Sequence, residues 1–293
     1  MSDTTASLSR KIDSAGDLQS VVRTMKAMAA SSIGQYEQSV RALADYYRTV
    51  ELGLGACVRV SEPATGLRPN GGTEAGASGA VVFGSDQGLV GRFNDVVADH
   101  AIETLSALSR KPLVWAVGER VHVHLADAGL PLVGHFTVPN SVNAIASLVG
   151  QILVETETDQ GDGRVTELHL VYNRPESGAV YAPVSQRLLP LDDTWRRTLA
   201  DRPWPTKRVP EVMGGDTATV RAFIREYLFV SLFRACAESL ASENASRLAA
   251  MQRADKNIDE LLEDFNGRFH RVRQSGIDEE LFDVIAGFEV LAK

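Results

Sequence analysis

Apolar residues recur at Leu8, Ile12, Ala15, Leu18, Val22, Met25, Ala29, Ile33, Tyr36, Val40, Leu43, Tyr47, Val50 and Leu54, in steps of three and four. Such steps predict a helix with a heptad stripe rather than the broader apolar face of an ordinary surface helix. At about 1.5 Å per residue this helix would be on the order of 70 Å long, more than a domain of this size is wide, so it must project. Within it, RTMKAMAASS (Arg23 to Ser32) carries Met and Ala where a seam would ordinarily carry Leu. That face is small and soft.

The pattern then changes. Residues 61–79, SEPATGLRPNGGTEAGASG, are rich in Pro, Gly, Ser and Thr and have no apolar period, which predicts a linker. A β-rich run comes next at Ala80 to Phe83, then a helical period at Asn94 to Leu108, an apolar run at Leu113 to Val117 and a helical stretch around Ala144 to Val154. Strand-like runs then cover Thr166 to Tyr172 and Ala179 to Val184. Alternating elements of this length predict a small α/β domain over 80–190 with a largely parallel sheet.

Pro190, Pro203, Pro205 and Pro210, with Gly214 and Gly215, break regular structure and predict a connector over 191–215. Asp216 or Thr217 can cap a helix that begins there. From 216 to 293 there is no proline, and Ile258, Leu262, Phe265, Phe269 and Val272, then Ile277, Leu281, Val284, Phe288 and Leu291, step again by three and four. The five-residue step from Val272 to Ile277 contains Gly276 and predicts a local change of coiled-coil winding. The stripes of 1–60 and 216–293 can pair as an intramolecular antiparallel coiled coil or self-associate as a parallel dimer. The charges do not choose between the two.

A chain of 293 residues with 44% hydrophobic and 23% charged residues can fill a full core. Its net charge of −8 argues against nucleic acid as the main partner. No apolar run reaches the roughly 20 residues of a membrane span, and the start MSDTTASLSRK lacks a signal-peptide core, so a cytoplasmic location is expected. Cys57 and Cys236 lie far apart without CxxC spacing and read as buried small hydrophobes.

Three stretches are candidate sites. GSDQGLVGRFN (Gly84 to Asn94) lies between a strand and a helix, where phosphate is often cradled, but its GxxxGxxG spacing matches neither a dinucleotide fingerprint nor a P-loop. A tight turn is the expectation. VHVHL (Val121 to Leu125) would point two histidines to one side if it is a strand, but with no third metal ligand nearby in sequence, surface or partly buried histidines are the expectation. RFHRVRQ concentrates Arg268, Arg271 and Arg273 on the last helix, either as a solvated face or as a strip that meets an acidic partner. The position of Arg273 and Gln274 just before the phase slip favours the second.

Four segments together resemble the gamma subunit of F-type ATP synthases. Ile12, Ser14, Gln19, Met25, Lys26, Ala29, Ala30 and Ser31 match the family's first-helix spacing, and Ser85, Asp86, Gly88, Leu89, Gly91, Phe93 and Asn94 resemble its SD-x-GL-x-G-x-(F/L)N loop. Ser185, Gln186 and Leu188 to Pro190 resemble the end of its α/β domain. SENASRLAAMQRADKN and then Arg273, Gln274, Ile277, Glu280, Leu281, Asp283 and Gly287 resemble its C-terminal signatures.

The resemblance implies an antiparallel coiled-coil shaft of the two terminal helices with a small Rossmann-like α/β domain between them. It implies a non-catalytic rotor inside a ring of three alpha and three beta subunits, with the epsilon subunit and the membrane c-ring as further partners. Membrane association would come only through the complex, at the cytoplasmic face of the cell membrane. No catalytic residue, cofactor or metal is implied. Met25 and Lys26 would face lever loops of beta subunits; Arg273 and Gln274 would face their catch loops. Asp278 and Glu280 lie in the same terminal contact region, 277–291 would enter an apolar sleeve, and Asp86, Gly88, Gly91 and Asn94 would shape the turn.

Departures at Gly16, Ser20, Arg92, Asp278 and Phe288 mark a divergent branch, as of an alternative, sodium- or proton-coupled ATP synthase. Phe288, bulkier than the usual Ala, calls for a wider sleeve. Two other classes compete: a coiled-coil adaptor that dimerises, and a nucleotide-binding α/β enzyme.

Overall fold

The computed structural model describes residues 4–60, 77–108, 112–161, 165–176, 179–189, 191, 193–208, 211 and 216–291. The predicted linker therefore falls outside the described residues except at 77–79, which already belong to the first strand. In chain order the elements are α1 (Thr5–Val60), β1 (Ala77–Phe83), α2 (Phe93–Ser106), β2 (Leu113–Val117), α3 (Glu119–Asp127) and β3 (Leu132–Phe136). After them come α4 (Val142–Gly161), β4 (Val165–Glu176), β5 (Ala179–Leu189), α5 (Asp193–Ala200) and α6 (Asp216–Leu291).

The chain divides into two compact units, residues 30–246 and the two terminal stretches 1–29 and 247–293. The larger unit is built on one sheet of order β3-β2-β1-β4-β5. Its first four strands run parallel, and β5 returns antiparallel to β4. The winding moves outward from β1 through β2 to β3, then crosses by α4 to β4 on the other side of β1, which is a doubly wound arrangement. Ala80, Val81, Val82 and Phe83 are buried because both faces of β1 are covered. Val81, Phe83, Trp115 and Val117 pack with Ile145, Val149 and Ile152 of α4, and with Leu54 of α1 and Leu228 and Leu232 of α6. Ala80, Val82, Val114 and Ala116 pack on the opposite face with Val97 and Ala101 of α2 and Val121 and Leu125 of α3.

Two elements depart from the sequence reading. VHVHL lies in helix α3 and not in a strand, because Val121 and Leu125, one helical turn apart, are the residues it buries. Helix α5 lies inside the predicted connector, and the prolines do not oppose it because Pro190 precedes it and Pro203 comes after it.

In the smaller unit α1 and α6 run antiparallel. On α1 the seam runs through Leu8, Ile12, Ala15, Gln19, Val22, Lys26 and Ala29, with Ser7 and Met25 half-buried beside it; on α6 it runs through Met251, Asp255, Ile258, Leu262, Phe265, Phe269, Val272 and Gly276, with Ala254 and Arg268 half-buried beside it. Both sets alternate steps of four and three without interruption, the signature of a left-handed coiled coil. Leu18 of the expected stripe is 55% exposed and Gln19 takes its place. Ala15, Ala250 and Ala254 border the buried Val22, Met251 and Ile258, so the two backbones approach over small side chains. α6 runs unbroken through the expected slip at 272–277, with Gly276 at the next seam position and Ile277 turned outward.

Candidate functional site

The turn between β1 and α2 is closed by its own side chains. Ser85 N–H donates to Asn94 Oδ1 at 2.9 Å, and Asn94 Nδ2 donates to Ser85 Oγ at 2.8 Å, with Ser85 fully buried. Asp86 reaches away from the loop: its Oδ1 accepts from Glu119 N–H at 3.0 Å and its Oδ2 from Val138 N–H at 2.9 Å. It thereby ties the turn to the start of α3 and the residues after β3. From α6, Ser246 Oγ donates to the Val90 carbonyl at 2.5 Å. Gly91 has φ 59, in the left-handed region that glycine enters without strain, and Leu89 occupies the same region at φ 62. Gly118, at φ 112, lies so close under the loop that a Cβ there would meet Ser85 backbone atoms at 2.8 Å.

A phosphate-cradling loop needs backbone donors aimed outward. Here the Ser85 donor is spent on Asn94, and the loop acts as a brace joining β1, α2, α3 and α6. Gly88 lies in this turn next to Arg120, whose Nη2 would be 3.7 Å from an added Cβ.

The histidines of α3 do not share a side. His122 packs on the ring of His135 with centroids 4.8 Å apart, whereas His124 Nε2 lies 3.2 Å from Asp95 of α2. Among the described residues no group of three or more His, Cys, Asp or Glu is arranged to hold a metal ion.

The seam of the smaller unit carries polar chemistry: the sequence reading named Gln19 and Lys26 from the family motif but did not pair them with Asp259 and Asp255. Lys26 Nζ donates to Asp255 Oδ2 at 2.9 Å, Arg23 Nε donates to Asp255 Oδ1 at 3.1 Å, and Gln19 Nε2 donates to Asp259 Oδ1 at 2.5 Å. The Lys26 hydrogen bond, with Arg23 beside it, holds the Asp255 carboxyl below the usual aspartate range. Met25 is half-buried against the Val22–Met251–Ile258 cluster, and Met28 is 66% exposed. The signal that could have placed Gln19, Lys26 and Asp255 on the seam is an alternation of four and three that passes through them and leaves Leu18 outside.

Arg273, Gln274, Asp278 and Glu280 are exposed on α6. Of the basic strip, Arg268 pairs with Asp264 at 3.6 Å and Arg271 donates to the Gly267 carbonyl. The pairing of Gln19 with Asp259 and Arg23 with Asp255 carries the register to about Thr4 opposite Gln274, and α6 continues to Leu291. Ile277, Leu281, Phe282, Val284 and Ile285 are each about half exposed or more. The side chains of 286–291, Phe288 among them, lie outside the described residues.

Among the described residues no helix is long and apolar enough to cross a membrane. Residues 4–291 match the family model described as ATP synthase. The ATP synthase gamma chain of Parafrankia sp. (strain EAN1pec) is 27% identical over 296 residues, covering 97% of this chain and 96% of that one. The ATP synthase gamma chain of Moorella thermoacetica is 28% identical over 289 residues, covering 97% and 98%. Among solved structures, a chain of the rotor of the Euglena gracilis mitochondrial ATP synthase aligns over 93% of this chain and 98% of its own, with a TM-score of 0.62 and 15% identity. A chain from the OSCP/F1/c-ring structure of that synthase covers 98% and 94%, with a TM-score of 0.65 and 17% identity. Two long terminal helices paired in a heptad seam, together with a doubly wound sheet, are thus the fold of known rotor chains, and the chain belongs to the ATP synthase family, as a relative of its gamma chains.

Proposed function

We infer that this chain is the central-stalk rotor, the gamma subunit, of an F-type ATP synthase, coupling ion flow through the membrane sector to ATP synthesis or hydrolysis in an alpha/beta ring. The observation that carries this is the antiparallel heptad pairing of α1 with α6, held by Gln19–Asp259 and Lys26–Asp255, in a chain matched to the family from residue 4 to 291. A paired shaft resists bending and sliding better than one helix. Its two helices also give it a cross-section without threefold symmetry. Inside a threefold ring such a shaft makes different contacts with each beta subunit and so favours a different conformation in each. Turning it moves those preferences around the ring.

The chain's role is mechanical rather than catalytic. The closed turn at Ser85–Asn94, whose Ser85 donor serves its own asparagine, supports that reading over a nucleotide enzyme. Met25 and Lys26 lie where lever loops of beta subunits would press, the ammonium of Lys26 acting through Asp255 on the partner helix. Arg273, Gln274, Asp278 and Glu280 offer an exposed polar strip to the catch loops. The apolar surface from Ile277 to Ile285 fits an apolar sleeve in the ring. The epsilon subunit and the membrane c-ring are the remaining partners, which sets the chain at the cytoplasmic face of the cell membrane.

The test is co-expression with the alpha and beta subunits, then the mass and ATPase rate of the purified particle, with and without truncation after Gln274. A seven-chain particle with ATPase activity altered by the truncation is expected. A chain left outside the ring would sink the rotor reading and favour the dimerising adaptor.

A further inference from the structure

Within the larger unit a cavity of about 410 Å³ opens between α1, the end of β4 and α6, with Arg41, Arg174 and Arg234 on its three walls. Their charges are unequally committed. Arg234 Nε donates to Glu238 Oε1 at 2.8 Å, and the Tyr172 hydroxyl donates to Glu238 Oε2 at 2.9 Å. Burial, then the charge of Glu238, pushes the Tyr172 phenol up, so it remains a donor and Glu238 is satisfied where it lies buried.

Arg41 pairs with Glu37 at 3.1 Å, but with 79% of its side chain exposed. A pair of that kind contributes little and exchanges readily for a better anion. Arg174 has no carboxylate partner among the described residues. It is held extended by Pro175, which disfavours a helical backbone at the preceding residue, and by its register opposite Ala182 of β5. It also borders a second cavity of about 390 Å³, shared with His100, Ser185 and Gln186, where His100 Nε2 is buried with no hydrogen-bond partner. Against the carboxylates of Glu37 and Glu238 on the same lining, Arg41, Arg174 and Arg234 leave a net positive charge of one in a chain of net charge −8. Val40, Pro175 and Ala241 add apolar lining, and the volume falls in the range of small-molecule sites.

We propose that this cavity binds a phosphate-bearing small molecule, its phosphate clamped by the guanidinium groups of Arg41 and Arg174 and its organic part laid on Val40, Pro175 and Ala241. Guanidinium groups match phosphate with paired, charge-assisted hydrogen bonds, which an ammonium does not offer.

The test is titration calorimetry and phosphorus NMR on the full-length chain at low ionic strength, with inorganic phosphate, metal-free ADP and a hexaglutamate peptide. Saturable ADP binding is expected, weakened about tenfold or more in Arg174→Gln and unchanged in Arg253→Gln. Arg174 makes no ion pair with a described residue, so its replacement breaks none, and a thermal melt checks the fold. Phosphate binding as tight as ADP binding, with the same dependence on Arg174, supports the clamp and assigns the site to free phosphate. Absence of saturable binding, or binding indifferent to Arg174→Gln, overturns the proposal. Arg174-dependent binding of hexaglutamate alone also overturns it, in favour of an acidic protein segment.

Discussion

Gln19 Nε2 donates to Asp259 Oδ1 across the seam at 2.5 Å, from a side chain only 9% exposed. One polar residue in a heptad core costs stability, yet it admits a single register, because any slip leaves the buried amide without its acceptor. With Lys26, one heptad after Gln19, bonded to Asp255, the seam holds two polar rungs. Replacing Gln19 and Lys26 together by Leu is expected to raise the thermal midpoint of the hairpin while adding self-associated species. Analytical ultracentrifugation in a Leu281→Ser, Phe282→Ser background, which removes the separate sticky end of α6, checks this; a variant with no more self-associated species than that parent would show that the rungs do not set the pairing.

Asp255 makes the seam sensitive to acid. Its folded pKa lies below the usual aspartate value, chiefly through the Lys26 hydrogen bond. The stabilisation is therefore present above about pH 4 and is lost as pH falls through the folded pKa. Urea titrations stepped downward from pH 5 should show the wild-type midpoint falling faster than that of Asp255→Asn. Equal slopes would remove Asp255 from the account.

Asn94 tests the brace. Asn94→Ala leaves the buried Ser85 N–H without its acceptor and is expected to destabilise the larger unit by about 1–3 kcal/mol, read as a lowered urea midpoint.

The apolar end of α6 should make the isolated chain self-associate, since Ile277, Leu281, Phe282, Val284 and Ile285 form an exposed patch. Leu281→Ser with Phe282→Ser is expected to shift the full-length chain toward monomer in light scattering without lowering its helix content. Association that persists in this variant would place the sticky surface elsewhere.

The long stripes, the alternating middle and the turn at Gly84–Asn94 were legible because each rests on local pattern. α3 was not: VHVHL alternates like a strand, and only the sheet it packs on makes Val121 and Leu125 the buried pair. Leu18 and Gln19 both satisfy a step of three or four, and hydrophobicity favours Leu18. The choice is reversed by Asp259, distant in sequence, which can receive the Gln19 amide. Arg41, Arg174 and Arg234 come from three separate elements, and no spacing in the sequence relates them.

The Gln19–Asp259 rung joins residues 240 positions apart. During synthesis, the first half of α1 must therefore leave the ribosome long before its partner exists. Closing so long a loop in a disordered chain is entropically unfavourable, but the loop is short-circuited once residues 30–246 have folded. Loop-closure entropy therefore favours an order in which the sheet unit condenses first and the hairpin pairs last. In that order the heptad seam is the last surface to find its partner, and small or polar residues at Ala15, Gln19, Lys26 and Ala29 leave it less apolar surface for a wrong pairing than leucine would.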